Sequence, residues 1–218
     1  MATIRVPAGD VHLEGELTLP AHATGVVLFA HGSGSSRFSS RNQFVARALE
    51  HRGLGTLLID LLTPDEEAAD QRMAHLRFDI PLLAGRLVAI VEWLTRQQTT
   101  AALPIGLFGA STGGGAALMA AAARPDDVAA VVSRGGRPDL AGAALAHVSA
   151  PTLLIVGGDD TPVIAMNQDA MRRMPGHVSL EIVPGATHLF EEPGTLERVA
   201  ALAADWFARH LRVVAQTS

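Results

Sequence analysis

A glycine–serine–glycine turn between an apolar strand and a small-residue helix constrains this fold more than any other feature. Residues 105–108 are an apolar run after a proline, as in a buried parallel strand. From Gly113 onward the sequence is small and apolar, which is typical of a helix packed closely under a sheet. Gly109 and Gly113 flank Ser111, and this spacing predicts a strained turn that lifts the serine hydroxyl above the sheet edge. A glycine-rich turn without chemistry has the same pattern, so the rest of the chain must decide between the two.

The remaining sequence alternates between strand and helix patterns. Residues 4–20 alternate with period two around a turn, which predicts an antiparallel hairpin. Strands are then predicted at residues 25–30, 53–60, 105–108, 128–133, 152–156 and 178–183, and helices at 42–52, 79–97, 113–124, 139–147, 162–174 and 195–211. This order predicts a single α/β domain over residues 1–218, a three-layer α/β/α sandwich with a mostly parallel, doubly wound sheet. Residues 61–76 are polar without a clear period, and we expect them to form an excursion over the top of the sheet.

Composition excludes several classes of function. All 17 basic residues are arginine, so neither a Schiff-base lysine nor a P-loop lysine is available. Cysteine is absent, which removes disulfides, thiolate nucleophiles and cysteine metal sites. A net charge of −5 without a basic run argues against nucleic acid or a membrane as partner. The first residues lack a signal-peptide pattern, so we expect a cytoplasmic protein.

A serine hydroxyl needs a base, and the base needs an orienting carboxylate. His188 is the candidate base because it follows the last predicted strand, which would return it to the sheet edge near Ser111. The candidate acid is Asp160, with Asp159 as competitor, since both follow an apolar strand. An aspartate before Thr-Pro is also a good helix N-cap, so one of the two could have that role instead.

Two backbone N–H groups are the candidate oxyanion donors, those of Thr112 and of Ser33. Ser33 lies in the small, glycine-rich loop that starts at His31, itself a candidate substrate contact. Arg134 follows a strand at the same edge and could pair with a substrate carboxylate. The alternative for Arg134 is a structural ion pair with Asp139 or with the acidic segment at residues 65–67.

The order Ser111, Asp160, His188 is that of the α/β-hydrolases, and the chain resembles them over nearly its whole length. The closest resemblance is to small serine esterases similar to dienelactone hydrolase. The matching pieces are His31-Gly32, the Ser111 turn, Gly157-Gly-Asp-Asp160-Thr-Pro-Val163 and Gly185-Ala-Thr-His188. The resemblance implies that the acid occupies a Gly-x-x-Asp-x-x-Val frame, which favours Asp160.

Three departures accompany this resemblance. Dienelactone hydrolase itself uses a cysteine where this chain has Ser111. Residues 133–151 are too few for a cap domain, so we expect a fold without one. Residues 77–84 match a stretch found in members of this group, and the sequence gives that stretch no catalytic role.

These observations predict a lidless serine hydrolase, a carboxylesterase acting on small soluble esters without metal or cofactor. Thioesterase, lactonase and perhydrolase activity would use the same residues and stay open. Metal-assisted hydrolysis would need clustered histidine and carboxylate ligands, and no such spacing is present in the sequence. A catalytically silent hydrolase fold that binds a ligand is the non-enzymatic alternative. The sequence does not decide the oligomeric state, and a homodimer stays open.

Overall fold

The structure is a computed structural model that describes residues 2–73 and 75–212. One eight-stranded sheet runs through it in the order β1-β2-β4-β3-β5-β6-β7-β8. The strands are β1 (Ala2–Ala8), β2 (Val11–Thr18), β3 (Val26–Ala30), β4 (Gly55–Ile59), β5 (Ile105–Ala110), β6 (Val128–Arg134), β7 (Thr152–Gly157) and β8 (Val178–Val183). The helices are α1 (Ser40–His51), α2 (Pro64–Met73), α3 (Ile80–Leu94), α4 (Thr112–Ala123), α5 (Thr161–Arg173) and α6 (Thr195–His210).

The sheet is antiparallel at one edge and parallel elsewhere. β1 and β2 form the predicted hairpin, and β2 pairs antiparallel with β4. The six strands in the order β4-β3-β5-β6-β7-β8 pair with one another in parallel. Their carboxyl ends therefore share one edge, where open α/β sheets hold their sites.

Buried side chains pack on both faces of the sheet, as the sandwich prediction requires. On one face, α3 and α4 cover residues such as Leu107 and Val131. On the other face, α1 and α6 cover residues such as Phe108 and Val132. The predicted three-layer fold is confirmed, and no cap domain interrupts the ranges that the structure describes.

Two segments have secondary structure that the sequence patterns left unspecified. The expected excursion at residues 61–76 contains helix α2, which begins with a capping box: the Thr63 N–H donates to Glu66 Oε2 (2.8 Å) and the Glu66 N–H to Thr63 Oγ1 (3.3 Å). The predicted short helix at residues 139–147 is a 3₁₀ helix over Pro138–His147, interrupted at Gly142, where φ is +54°. Among the described residues, every helix is too short or too polar to cross a bilayer.

Candidate active site

Ser111 lies between β5 and α4 in the strained turn that the sequence predicts. Its φ of +52° is rare for a residue with a side chain. The turn brings backbones into contact: a Cβ on Gly109 would lie 2.6 Å from the Gly113 carbonyl oxygen, and one on Gly113 would overlap the carbonyl oxygen of Ala30. Because only glycine fits at both positions, the turn holds the serine hydroxyl at the end of the sheet.

Strand β6 and the loop that follows it fix the backbone of Ser111 from the side. The Ser111 N–H donates to the Arg134 carbonyl (3.2 Å), and the Arg137 N–H donates to the Ser111 carbonyl (3.0 Å). The strained turn is thus held by hydrogen bonds on both sides of the serine.

His188 and Asp160 complete a line of three side chains with Ser111. His188 Nδ1 lies 2.7 Å from Asp160 Oδ2, and His188 Nε2 lies 3.3 Å from Ser111 Oγ. Since the carboxylate accepts from Nδ1–H, the unprotonated Nε2 faces the serine hydroxyl. The aspartate side chain is 14% exposed and the histidine side chain 38%, so the line runs from the interior to the surface.

The structure distinguishes the two candidate acids by geometry. Asp160 stands at the N-cap position of α5, yet its side chain makes no capping hydrogen bond and contacts His188 instead. Asp159 uses its N–H to bind the Ala186 carbonyl (3.0 Å), which ties the β7 loop to the β8 loop. The carboxylate that meets the histidine is therefore that of Asp160.

Glu192 supports the loop that carries His188, and sequence reasoning missed it. Its carboxylate accepts the Thr187 hydroxyl (2.6 Å) and the Thr187 N–H (3.1 Å). The Thr187 hydroxyl lowers the pKa of Glu192, so the carboxylate stays ionised and keeps accepting both bonds. A threonine next to His188 with a glutamate five residues on is the only signal that the sequence offers for this support.

The two candidate oxyanion donors differ in availability. Thr112 is the first residue of α4, and the N–H groups of a first helical turn have no partner within the helix. The Ser33 N–H is engaged, because it donates to Thr112 Oγ1 at 2.9 Å. The structure thus brings both residues together, with the predicted Ser33 donor directed at the Thr112 hydroxyl.

His31 has both ring nitrogens in contact with backbone groups. Its Nε2 accepts the Leu61 N–H (3.1 Å), so the proton resides on Nδ1, which lies 3.0 Å from the Gly32 carbonyl. A hydrogen bond from this ring to a substrate would first have to break one of these contacts. The structure therefore gives His31 a place in holding the loop after β3 against the loop after β4, which the sequence prediction of a substrate contact did not include.

Arg134 is buried and has no ionic partner within residues 2–73 and 75–212. Only 7% of the residue is exposed, and Nε and Nη1 are buried without a hydrogen-bond partner among the described residues. Burial, together with the nearby charge of Arg41, lowers the pKa of Arg134 to about 10, which still leaves it charged at neutral pH. Two carboxylates named as possible partners of Arg134 pair with other arginines, Asp139 with Arg137 (2.7 Å) and Glu66 with Arg86 (2.5 Å).

A cavity of about 340 Å³ lies beside the loop after β3. Polar residues dominate its lining: Glu14, His31, Ser35, Ser36, Arg37, Asp60 and Glu67. Arg77 borders the same loop, with Nη1 near Gly34 while its Nε and Nη2 bind Asp70. The stretch at residues 77–84, without a role at the sequence level, thus connects α2 to the loop after β3.

Residues 13–218 match the Dienelactone hydrolase family. The crystal structure of dienelactone hydrolase from Anabaena variabilis ATCC 29413 is 62% identical, with a TM-score of 0.96, and the match covers 97% of this chain and 98% of that one. Est1E from Butyrivibrio proteoclasticus is 16% identical over 96% of this chain and 99% of its own, and its TM-score of 0.80 shows a shared fold.

Two longer relatives contain a segment similar to this chain. Two Mycobacterium tuberculosis proteins, provisionally named phosphoribosyl transferases, are 59% identical over 208 residues, which is 95% of this chain and 46% of theirs. The chain therefore spans about half the length of these curated relatives. The family match over residues 13–218 and the identity to a solved dienelactone hydrolase show that the chain belongs to the dienelactone hydrolase family, with the α/β-hydrolase fold.

Proposed function

We propose that this chain is a serine hydrolase that cleaves small carboxylic esters through an acyl-enzyme. The observation that carries the proposal is the line of contacts from Asp160 through His188 to Ser111, 2.7 Å and 3.3 Å long. In this line the aspartate fixes the imidazole tautomer, and the imidazole can accept the serine proton. Membership of the dienelactone hydrolase family supports hydrolysis as the reaction class.

The first half-reaction forms the acyl-enzyme. Ser111 Oγ bonds to the ester carbonyl carbon, the carbonyl π electrons move onto its oxygen, and the serine proton passes to His188 Nε2. When the intermediate collapses, the bond to the alcohol oxygen breaks and the alcohol takes that proton from His188. Water, activated by the same histidine, then releases the acid.

A fold without a cap domain favours small substrates. The ranges that the structure describes contain no cap that could cover a long acyl chain, and the cavity beside the loop after β3 has neither Ser111 nor His188 in its lining. A buried CH₂ contributes at most about 0.8 kcal/mol, and only where apolar surface receives it. We expect kcat/KM to be highest for short acyl chains.

A substrate panel tests this assignment. We expect p-nitrophenyl acetate and butyrate to exceed lactones, acyl thioesters and esters with ten or more acyl carbons in kcat/KM, with turnover lost in His188→Gln. A higher kcat/KM for thioesters or lactones would replace the esterase assignment with one of those activities. Preference for the long chains would show that the segment around α2 forms an apolar wall.

Arg134 is the proposed anchor for an anionic group on the substrate. It ends β6 next to Ala110 of β5, and its carbonyl binds the Ser111 N–H. Its side chain lies on the face of Val132, toward α1 and α6. A buried guanidinium without a counter-charge is costly, and an oxyanion would satisfy its free donors.

Paired substrates test the anchor. We expect Arg134→Ala to raise KM for 4-acetoxybenzoate by about tenfold or more, the effect of losing one charged hydrogen bond, while phenyl acetate turnover and Tm change little. Arg137→Ala is the matched control, because that guanidinium is already paired with Asp139. If Arg134→Ala harms both substrates equally and lowers Tm, the arginine is structural.

A further inference from the structure

The Thr112 hydroxyl connects the two residues whose backbone N–H groups are the candidate oxyanion donors. Thr112 Oγ1 accepts the Ser33 N–H at 2.9 Å, across 79 residues of sequence. The loop after β3 is pressed against the serine here, since a Cβ on Gly32 would lie 3.1 Å from Ser111 Cβ. Thr112 is 6% exposed, so this contact is shielded from solvent.

The bond to Ser33 determines what the hydroxyl can donate. A threonine hydroxyl has one proton and two acceptor positions. Because Oγ1 accepts the Ser33 N–H, its own proton points elsewhere, and it makes no hydrogen bond to an acceptor among residues 2–73 and 75–212. A hydroxyl that accepts one hydrogen bond is polarised and becomes a stronger donor.

We propose that the Thr112 side chain is an oxyanion donor: it accepts the Ser33 N–H and donates its own O–H to the oxyanion of the tetrahedral intermediate. This inference rests on the proposed serine hydrolase function. The Thr112 N–H and O–H then reach the developing charge from one residue, and Ser33 acts through the hydroxyl. The threonine keeps its proton throughout, because the serine proton goes to His188.

A rival interpretation predicts the opposite change in kcat when the hydroxyl is removed. In this interpretation the Ser33 N–H is the oxyanion donor, and its hydrogen bond to the Thr112 hydroxyl must break before catalysis. Removing the hydroxyl would then free the Ser33 N–H and leave kcat unchanged or higher. If the hydroxyl donates, removing it costs a transition-state hydrogen bond that ground-state binding does not use.

The test compares Thr112→Val and Thr112→Ala with Thr112→Ser, using p-nitrophenyl acetate. We expect the two hydroxyl-free variants to lose about 10²-fold in kcat, the usual effect of removing one oxyanion donor, with KM within about threefold. Thr112→Ser keeps the hydroxyl and should retain most of the rate. Thr112→Ala adds no bulk and serves if Thr112→Val does not fold.

Thr100→Val is the matched control for loss of a buried threonine hydroxyl. Thr100 is fully buried and donates to the Leu94 carbonyl (2.7 Å), remote from Ser111 at the other end of β5. We expect this variant to lower Tm and leave kcat unchanged. Unchanged or raised kcat in Thr112→Val and Thr112→Ala, or an equal loss in Thr112→Ser, would overturn the inference while leaving the hydrolase function intact. A folded wild-type protein without any ester turnover would instead remove the proposed function and the inference with it.

Discussion

The edge of the sheet at the carboxyl ends of its parallel strands has two halves, and different interactions hold each half together. On the half above β5 to β8, backbones touch directly: Gly109 and Gly113 leave no room for a side chain, and hydrogen bonds from β6 fix Ser111. On the half above β2 and β4, arginine–carboxylate pairs connect the segments. We call these the close-packed half (residues 109–114, 134–137 and 157–160) and the ion-pair half (residues 60–73 and 75–79 with Arg37 and Arg86).

Three arginines form the four ion pairs that hold the ion-pair half. Arg37 binds Asp60 and Glu14, Arg86 binds Glu66, and Arg77 binds Asp70. A segment held by charge changes stability with pH, whereas one held by backbone contact changes with side-chain volume. The ion-pair half should therefore be sensitive to loss of charge, and the close-packed half to added side-chain volume.

Removing the charge of the acid in the close-packed half should have the largest effect on activity. We expect Asp160→Asn to lower kcat by about 10³ to 10⁴, because the amide favours the wrong imidazole tautomer and cannot stabilise its cation. The measurement is kcat for p-nitrophenyl acetate. Asp159→Asn is the control and should cost less than about tenfold, since its carboxylate does not meet His188. A larger loss from Asp159→Asn would reverse the assignment.

Adding one carbon in the close-packed half should have the largest effect on stability. Gly113→Ala places a methyl group against the Ala30 and His31 carbonyls, so we expect about 3 kcal/mol of destabilisation, the upper end of the usual cost of over-packing. Tm should fall by roughly 6–12 °C for a domain of this size. Gly85→Ala in α3, where nothing lies within 4 Å of the added carbon, should raise stability slightly. Equal melting temperatures for the two variants would show that the turn can relax.

Removing a charge in the ion-pair half should have a smaller, pH-dependent effect. The hydrogen bond from Arg86 lowers the pKa of Glu66 against the opposing effect of burial. We expect Glu66→Gln to cost about 2 kcal/mol at pH 7, less than a fully broken buried pair, because the amide and the Leu61 carbonyl still accept from Arg86. Activity should change little.

The sign of the pH dependence follows from the lowered pKa. A carboxylate with a folded pKa below its unfolded value adds stability that is complete above about pH 5 and lost as pH falls through the folded pKa. The Tm difference between wild type and Glu66→Gln should therefore shrink below about pH 4.5. Asp65→Asn, an exposed change on the same helix, should show a smaller difference at pH 7 than Glu66→Gln. A gap that widens in acid would contradict the ion-pair account.

The same comparison explains how much the sequence could predict. The strand order and the contact line of Ser111, Asp160 and His188 depend on features that patterns encode: apolar runs, glycines at a tight turn and loops at strand ends. Helix α2 was missed because arginine–carboxylate pairs from distant residues hold it, rather than an apolar face with a helical period. The contact between Thr112 Oγ1 and Ser33 was missed because it joins residues that only the folded loop brings within hydrogen-bond distance.

Covalent labelling of Ser111 tests the central claim most directly. The folded protein is treated with a fluorophosphonate probe, its intact mass is measured, and the modified residue is located by peptide mapping, with Ser111→Ala as the control. The account predicts one adduct per chain, on Ser111, absent in Ser111→Ala and much slower to form in Asp160→Asn. A folded wild-type protein that takes up no label, or an adduct that persists in Ser111→Ala, would contradict it.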